Sequence, residues 1–427
     1  MNSRTIIALA LMAGVFVMEG YDIFAMPLAL PRLDEGLPAL PDNAGLFFSI
    51  VGAPFGLFGL WPPSFGLVMT GVLLGIGIGG ALVAPFGDRF GRRTLIVLGC
   101  LATGLFTFIT TTSGSIAEFF LWRMMTGIAL GAALPNVSAL SAELAPPNLR
   151  GTVMAVVSAG IPVGIGLAGV LAPEVVGMWG WQGLFYVPGG AAIILALALF
   201  AVLEGGAPQS AGSPAAAAKP VRFPQAALFK QPWVIPFAVV AAMLALNAMN
   251  LYLLNSWLPT ILPMAGFEQE MADRISGIVQ FAGIGIGVAA SFGIDRWKPA
   301  TTLVLMFGAM ALCFFGVSVS APDALRWTLL LCVGVGGASA GGMALPALCA
   351  HMFPPQQLST AIGMGILVAR LGAFAGPLVG EAIVEAEMGA QPFFLAAATA
   401  PALCVLVALL VPMALKVRVR EEAPVTA

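Results

Sequence analysis

Two carboxylates occupy a place where water is scarce. Glu19 and Asp22, in Met18-Glu19-Gly20-Tyr21-Asp22, fall near the middle of the first long apolar run of the chain. A spacing of three puts both on one face of a helix. Two arginines share their predicament: Arg123 sits near the start of one apolar run, and Arg370 near the middle of another. If all four side chains faced lipid, they would cost on the order of 10–14 kcal/mol on the insertion scale, which rivals the stability of a whole domain. They must therefore face a cavity, pair with one another, or both. The chemistry open to such a set is proton loading and anion binding. An ionised Asp22 can hold Arg123 in an ion pair. Protonation of the acid releases the guanidinium, whose planar fork matches a substrate carboxylate. Burial and a second acid nearby favour proton uptake in general. A purely structural ion pair would also account for Arg123.

The composition says what kind of element positions these groups. The chain of 427 residues is 59% hydrophobic and only 9% charged, whereas soluble domains are near 25% charged, so the class is membrane protein. Its 52 Gly and 32 Pro fit membrane helices, in which neighbours re-satisfy broken backbone bonds. A net charge of -2 implies no nucleic-acid partner. Cys100, Cys313, Cys332, Cys349 and Cys404 all lie in apolar runs without metal-ligand spacing, so they read as small buried hydrophobes. The acids in the first run argue for a retained helix instead of a cleaved signal.

Apolar runs long enough to cross a hydrocarbon core of ~30 Å recur at 5–32, 65–87, 94–113, 116–142, 152–174, 182–203, 233–262, 274–295, 300–320, 325–350, 358–384 and 392–415. These predict an all-α membrane protein of twelve spans. With the N-terminus inside, thirteen of the 18 Lys and Arg fall on the cytoplasmic side. Only Arg32, Arg274 and Arg326 fall outside, which predicts cytoplasmic N- and C-termini. The run 204–232 is rich in Gly, Ala, Pro and Ser and reads as a flexible cytoplasmic linker. It separates a first six-helix bundle, 1–203, from a second, 233–427. The end of the second span, Gly87-Asp88-Arg89-Phe90-Gly91-Arg92-Arg93, is echoed at the end of the eighth, Gly293-Ile294-Asp295-Arg296-Trp297-Lys298, as duplication would leave it. Gly36–Phe65 is long for a connection between membrane helices and reads as a partly ordered loop or an outer lid.

The Gly87–Arg93 loop combines a tight turn with an acid and three arginines, a set that one conformation makes and another breaks. Positive-inside anchoring alone is the plainer account. The full pattern, G-D-R-F-G-R-R after a Gly-rich helix, resembles the signature loop of the major facilitator superfamily. The twelve spans, the central linker and the degenerate second copy extend that resemblance over essentially the whole chain. Three further stretches resemble the aromatic acid:proton symporters, the family of hydroxybenzoate-type transporters. They are Glu19-Gly20-Tyr21-Asp22, where that family typically has Asp at the first position; Arg123 through Leu134-Pro135-Asn136 to Glu143 and Arg150-Gly151; and Asn250-Leu-Tyr252-Leu-Leu-Asn255-Ser256-Trp257-Leu-Pro259. Phe353-Pro354 through Arg370-Leu-Gly372 to Gly376-Pro377 also matches, with Leu358 where relatives usually carry Arg.

The resemblance implies two pseudo-symmetric six-helix bundles working by alternating access in a bacterial inner membrane. It implies import of a small aromatic carboxylate together with protons, with Glu19 and Asp22 as the coupling acids. Substrate contacts fall to Arg123, Arg370, Tyr21, Asn136, Asn250, Tyr252 and Asn255; which arginine meets the carboxylate stays open, leaning to Arg370. Interhelical glue is the plainer account of any single Asn or Tyr. Gly87, Asp88, Arg89, Gly91, Arg92, Arg93, Glu143 and Arg150 form the expected cytoplasmic gate. Trp257 reads as an interfacial belt residue, His351 as a solvated helix end, and Glu381, Glu385 and Glu387 as a solvated outer rim. No metal, no cofactor beyond the proton and no enzymatic activity is expected, and the protein is read as a monomer. The alternative reading is a proton-coupled antiporter exporting drugs or metabolites.

Overall fold

The computed structural model describes residues 3–33, 64–146, 150–203, 228–353 and 355–422. Nearly all of Gly36–Phe65 and of the 204–232 linker lies outside them, as do the side chains of Asp88, Arg150 and Leu358. The described chain is helical almost throughout. In order the helices are α1 (Ser3–Ala29), α2 (Phe65–Ile78), α3 (Phe86–Phe90), α4 (Arg92–Thr110), α5 (Ile116–Leu144), α6 (Arg150–Ser158), α7 (Gly160–Trp179) and α8 (Gly183–Val202). Then come α9 (Val234–Met264), α10 (Gln269–Arg296), α11 (Pro299–Val319), α12 (Ala324–Met352), α13 (Pro355–Glu385), α14 (Ala390–Ala408) and α15 (Val411–Glu422). Among the described residues, twelve spans are long and apolar enough to cross a membrane. They coincide with the twelve runs read from the sequence, because unbroken hydrophobicity is the dominant signal in such a chain.

The chain clusters into two compact units. One is Met1–Gly212 with Gln269–Gly277; the other is Ser213–Glu268 with Ile278–Ala427. The first turns of α10 thus group with the first unit, which the linear division did not anticipate. The reason is local. Arg32 is ion-paired with Asp273, Arg274 reaches Glu174 at 2.7 Å, and Gly277 packs against the backbone at Gly166 and Gly169.

Small residues let the helices touch backbone to backbone. In the first unit, Gly75 and Gly79 of the second span (the latter in a π-turn, Gly79–Val83, that ends α2) interlock with Gly127 and Gly131 of α5. Each pair is spaced by four, the arrangement that brings membrane helices closest. Helices α1 and α7 meet in the same way. Gly160 lies against the Ala13 carbonyl, Gly164 against the Val17 carbonyl and the Tyr21 amide, and Gly20 against the Ile161 carbonyl. The second unit repeats this contact between α9 and α13. There Gly372 lies against the Ala245 carbonyl, and Gly376 against the Met249 carbonyl and the Leu253 amide. The repeat sets a register in which Ala13 matches Ala245, Val17 matches Met249 and Tyr21 matches Leu253. In that register Asp22 matches Leu254 and Glu19 matches Leu251.

Candidate functional site

Asp22 is the twentieth residue of α1, about 29 Å along the helix from Ser3 at 1.5 Å per residue. Arg123 lies two turns into α5, and Thr107 one turn before the end of α4. Neighbouring spans run in opposite directions, so all three meet toward the end of the first unit that is remote from the N-terminus. The carboxylate of Asp22 and the guanidinium of Arg123 are both fully buried and form a bidentate pair. Nη1 donates to Oδ1 at 3.0 Å and Nη2 to Oδ2 at 2.8 Å, while Nη2 also donates to the Asp22 main-chain oxygen at 2.9 Å. Thr107 Oγ1 donates to Oδ1 at 3.1 Å. This is the ion pair that the residue types suggested.

Aromatic rings close the site. The Arg123 guanidinium lies 5.4 Å from the centroid of Phe185 on α8. Phe185 packs edge-on against Phe119, one turn before Arg123, and against Trp181, with centroids 6.1 Å apart in each case. Phe119 and Phe185 are themselves buried. Rings stacked over a charge pair exclude water, which strengthens the electrostatic attraction within it. The spacing of Phe119 to Arg123 is visible in the sequence. The roles of Thr107 and Phe185 are not, because neither residue type stands out in an apolar run.

Glu19 is buried on α1, one turn before Asp22. The Tyr21 hydroxyl is buried without a hydrogen bond to any described residue. Gly20, between them, is required by the close approach of α7: any side chain there would enter the Ile161 carbonyl.

In the second unit the polar groups are amides. Asn247 Nδ2 donates to the Ala338 carbonyl of α12 at 3.0 Å. Asn255 accepts from Gln280 of α10 at 2.8 Å, and Gln280 accepts from Ser339 of α12 at 3.2 Å. Gln280, buried in an apolar span, is a participant the sequence reading missed; a lone Gln in such a span was the available signal. Both side-chain polar atoms of buried Asn250 lack partners among the described residues. Tyr252 is half-buried on α9. Arg370 is half-buried in α13 and forms no ion pair or hydrogen bond with any described residue.

Two residues sit elsewhere than expected. Asn136 belongs with the loop end of α5: its Nδ2 donates to the carbonyls of Ala84 at 3.1 Å and Ala132 at 2.8 Å, and its side chain presses on Gly87. It therefore fixes the Gly87–Arg93 loop. Trp257 is no belt residue. It is buried, donates to the Pro377 carbonyl at 2.8 Å and packs on Gly380; a small residue on the neighbouring helix made room for an indole inside the bundle.

At the loop itself Gly91 adopts φ 92°, open to glycine at little cost. Arg92 is ion-paired with Glu143. Arg93 donates to the Phe200 carbonyl and stacks on its ring at 4.6 Å, while Arg4 donates to the Val202 carbonyl at 2.9 Å. Both cations thereby serve the carbonyl end of α8, where a helix dipole favours positive charge. Arg89 is exposed over Phe90. His351 is half-buried in the last turn of α12, and Glu385 and Glu387 are exposed. Among the described residues no His, Cys, Asp and Glu cluster could hold a metal ion.

The family model described as Major Facilitator Superfamily matches residues 43–364. The chain belongs to that superfamily; it is a multi-pass membrane transporter, and not an enzyme. It is 28% identical over 407 residues to the 3-(3-hydroxy-phenyl)propionate transporter of Escherichia coli (strain K12), covering 95% of this chain and 93% of that one. It is 27% identical over 413 residues to the gallate transporter of Pseudomonas putida, covering 89% and 86%. To a 4-hydroxybenzoate transporter of Pseudomonas aeruginosa it is 27% identical over 359 residues, covering 77% and 79%. Among solved structures, the fold is similar to the inward-open xylose transporter of E. coli, with a TM-score of 0.68 at 18% identity over 95% of this chain and 94% of that one. It is also similar to a bacterial homologue of the lysosomal transporter Spinster, with a TM-score of 0.70 at 14% identity over 99% and 100%.

Proposed function

We propose that this transporter imports a small aromatic monocarboxylate, hydroxybenzoate-like, together with protons, by alternating access across the bacterial inner membrane with both termini in the cytoplasm. The observation that carries the reading is the contrast between the two intramembrane arginines. Arg123 has both Nη atoms committed to Asp22. Arg370, inside a membrane span, has no partner among the described residues. An unpaired guanidinium at that depth is costly unless an anion or water meets it, and its fork suits a carboxylate. It suits an exported cationic drug poorly. The named cargoes of the relatives, hydroxyphenylpropionate, gallate and hydroxybenzoate, are all aromatic acids.

Arg370 takes the substrate carboxylate. Tyr21 and Asn250, whose buried polar atoms lack partners, offer hydrogen bonds to the ring substituents, with Tyr252 and Asn255 as further contacts. Asp22 is the coupling acid and Glu19 its neighbour in the proton path; a proton on Asp22 dissolves its pair with Arg123. One proton with one monoanion moves no net charge, so uptake follows the pH gradient and largely ignores voltage. The Arg92–Glu143 pair, Gly87, Asp88, Arg89, Gly91, Arg93 and Arg150 form the inner gate, which Asn136 steadies. The protein works as a monomer in lipid, with the proton as coupling ion and no other cofactor.

The test is uptake into proteoliposomes driven by an acid-outside gradient, against benzoate, hydroxybenzoates and aliphatic acids. Hydroxybenzoates should accumulate and aliphatic acids should not. Arg370→Lys should raise KM roughly tenfold, the worth of one charged hydrogen bond. Equal accumulation of aliphatic acids, or an unchanged KM in Arg370→Ala, defeats the reading.

A further inference from the structure

Three threonines of α4, Thr103, Thr107 and Thr110, are spaced one helical turn apart and are fully buried. A buried hydroxyl in an apolar helix ordinarily bonds back to a carbonyl one turn earlier. Thr110 does so to Phe106 at 2.9 Å, and Thr70 in α2 to Leu67 at 2.7 Å. Thr107 instead reaches across to Asp22 Oδ1. The Thr103 hydroxyl has no hydrogen bond to any described residue. It carries the desolvation penalty of a buried polar group with nothing in this state to offset it. As the first and third spans, α1 and α4 run the same way across the membrane. Glu19 precedes Asp22 by three residues and Thr103 precedes Thr107 by four, so a second acid and a second hydroxyl follow the bonded pair about 4.5–6 Å down the bundle.

We propose that Thr107 and Thr103 are a two-position hydroxyl switch for Asp22: Thr107 is the positioning residue that holds the carboxylate against Arg123, and Thr103 is the acceptor for the carboxyl proton once that pair opens. The inference rests on the reading of Asp22 as the coupling acid. The step balances simply. Asp22 takes one proton from a hydronium ion, which is left as water, and becomes a neutral carboxylic acid. Its O–H donates to Thr103 Oγ1. Thr107 loses its charged acceptor and turns back to the Thr103 carbonyl, as Thr110 does to Phe106. One O–H bond breaks in the hydronium ion and one forms on Asp22, and the only charge gained is that of the proton. On the packed elements, the titratable or charged groups are Arg4, Glu19 and Tyr21 on α1, Glu118, Arg123 and Glu143 on α5, and Cys100 on α4. On α7 there is Glu174, on α8 Tyr186, and on α4 Arg92 and Arg93 at the opposite end. Of these, Arg123 bonds Asp22 directly, while Glu118 is occupied at the helix start by the Gly114 amide.

The experiment measures initial uptake rates against pH in proteoliposomes for the unaltered protein, Thr107→Val, Thr107→Ser and Thr103→Val, with Asp22→Asn alongside. Valine keeps the shape and removes the hydroxyl. Thr107→Val removes a hydrogen bond that favours the ionised carboxylate. The alkaline limb of the profile should move up by about one pH unit. Thr107→Ser should restore the original profile. Thr103→Val removes a bond to the protonated form, so its limb should move down. Thr107→Cys, a similar shape with a weaker donor, should move the limb part of the way and serves where the valine variant does not fold. A Thr107→Val profile superimposed on the unaltered one, or a Thr103→Val shift in the same direction as Thr107→Val, overturns the switch. Gradient-driven accumulation surviving in Asp22→Asn overturns the coupling reading itself. Loss of accumulation there with an unmoved Thr107→Val profile overturns only the switch.

Discussion

Replacing Asp22 by asparagine removes one charge of a fully buried pair and leaves the other. Arg123 would then keep two acceptors, the new side-chain amide oxygen and the main-chain oxygen of residue 22, now 2.9 Å from Nη2, but no counter-charge. Leaving one member of a buried pair uncompensated typically costs about 3–5 kcal/mol. The aromatic wall of Phe119 and Phe185 withholds the water that would otherwise soften that cost. The penalty is a large part of a stability of about 5–15 kcal/mol, so the single variant should fold and unfold far more readily. Arg123→Gln should suffer comparably, with Asp22 now the lone charge. The double variant Asp22→Asn, Arg123→Gln carries no buried charge and should recover to within about 1 kcal/mol of the unaltered protein, since exchanging a whole buried pair for neutral groups is often near neutral. The four proteins form a cycle whose interaction energy isolates the pair. Denaturant titration in lipid nanodiscs supplies the stabilities, and proteoliposome uptake supplies the function. None of the three variants should accumulate substrate. Additive single and double effects would refute a tightly coupled buried pair. A stable double variant that still concentrates substrate would refute the coupling role.

Two other outcomes follow from single contacts. Gly20→Ala drives a methyl into the Ile161 carbonyl; it should destabilise the protein by at least about 1–3 kcal/mol, seen as a lower melting temperature, and normal stability would show that α1 and α7 can part without penalty. Gln280→Leu removes the middle of the Asn255–Gln280–Ser339 chain and should raise KM for hydroxylated substrates more than for benzoate, whereas a uniform change would make Gln280 a packing residue.

Much of this was legible because a bilayer imposes a coarse code. Twelve spans could be counted from hydrophobicity alone, and Asp22 with Arg123 stood out because charge is rare at that depth. What escaped the sequence depends on which side of a helix meets which neighbour. Asn136 and Asn250 are the same residue type in similar apolar surroundings. One is spent on the Ala84 and Ala132 carbonyls, and the other has no bond to any described residue. Trp257 looked interfacial by position, but a glycine at Gly380, more than a hundred residues away, opens the space that buries it. Thr107 was invisible for a further reason: threonines in membrane helices usually bond to their own backbone, and only the approach of Asp22 at this one level turns this one outward. Arg93, expected at the gate loop, also serves the end of α8, a task that no local motif announces.

The matching glycine contacts of α1 with α7 and of α9 with α13 have a consequence for how such a protein changes over generations. The duplicated halves share a backbone joint but differ in what stands beside it. Where one carries Glu19 and Asp22, the other carries Leu251 and Leu254, and where one carries Met18 the other carries Asn250. On the proposed reading, the acids that couple transport to protons thus stand in one copy, while most of the cargo contacts, Arg370, Asn250, Tyr252 and Asn255, stand in the other. If that reading holds, substitutions that retune the choice of cargo can accumulate in the second copy without touching Glu19 and Asp22 of the first. A single ancestral scaffold can in this way diversify across many acids while keeping one engine.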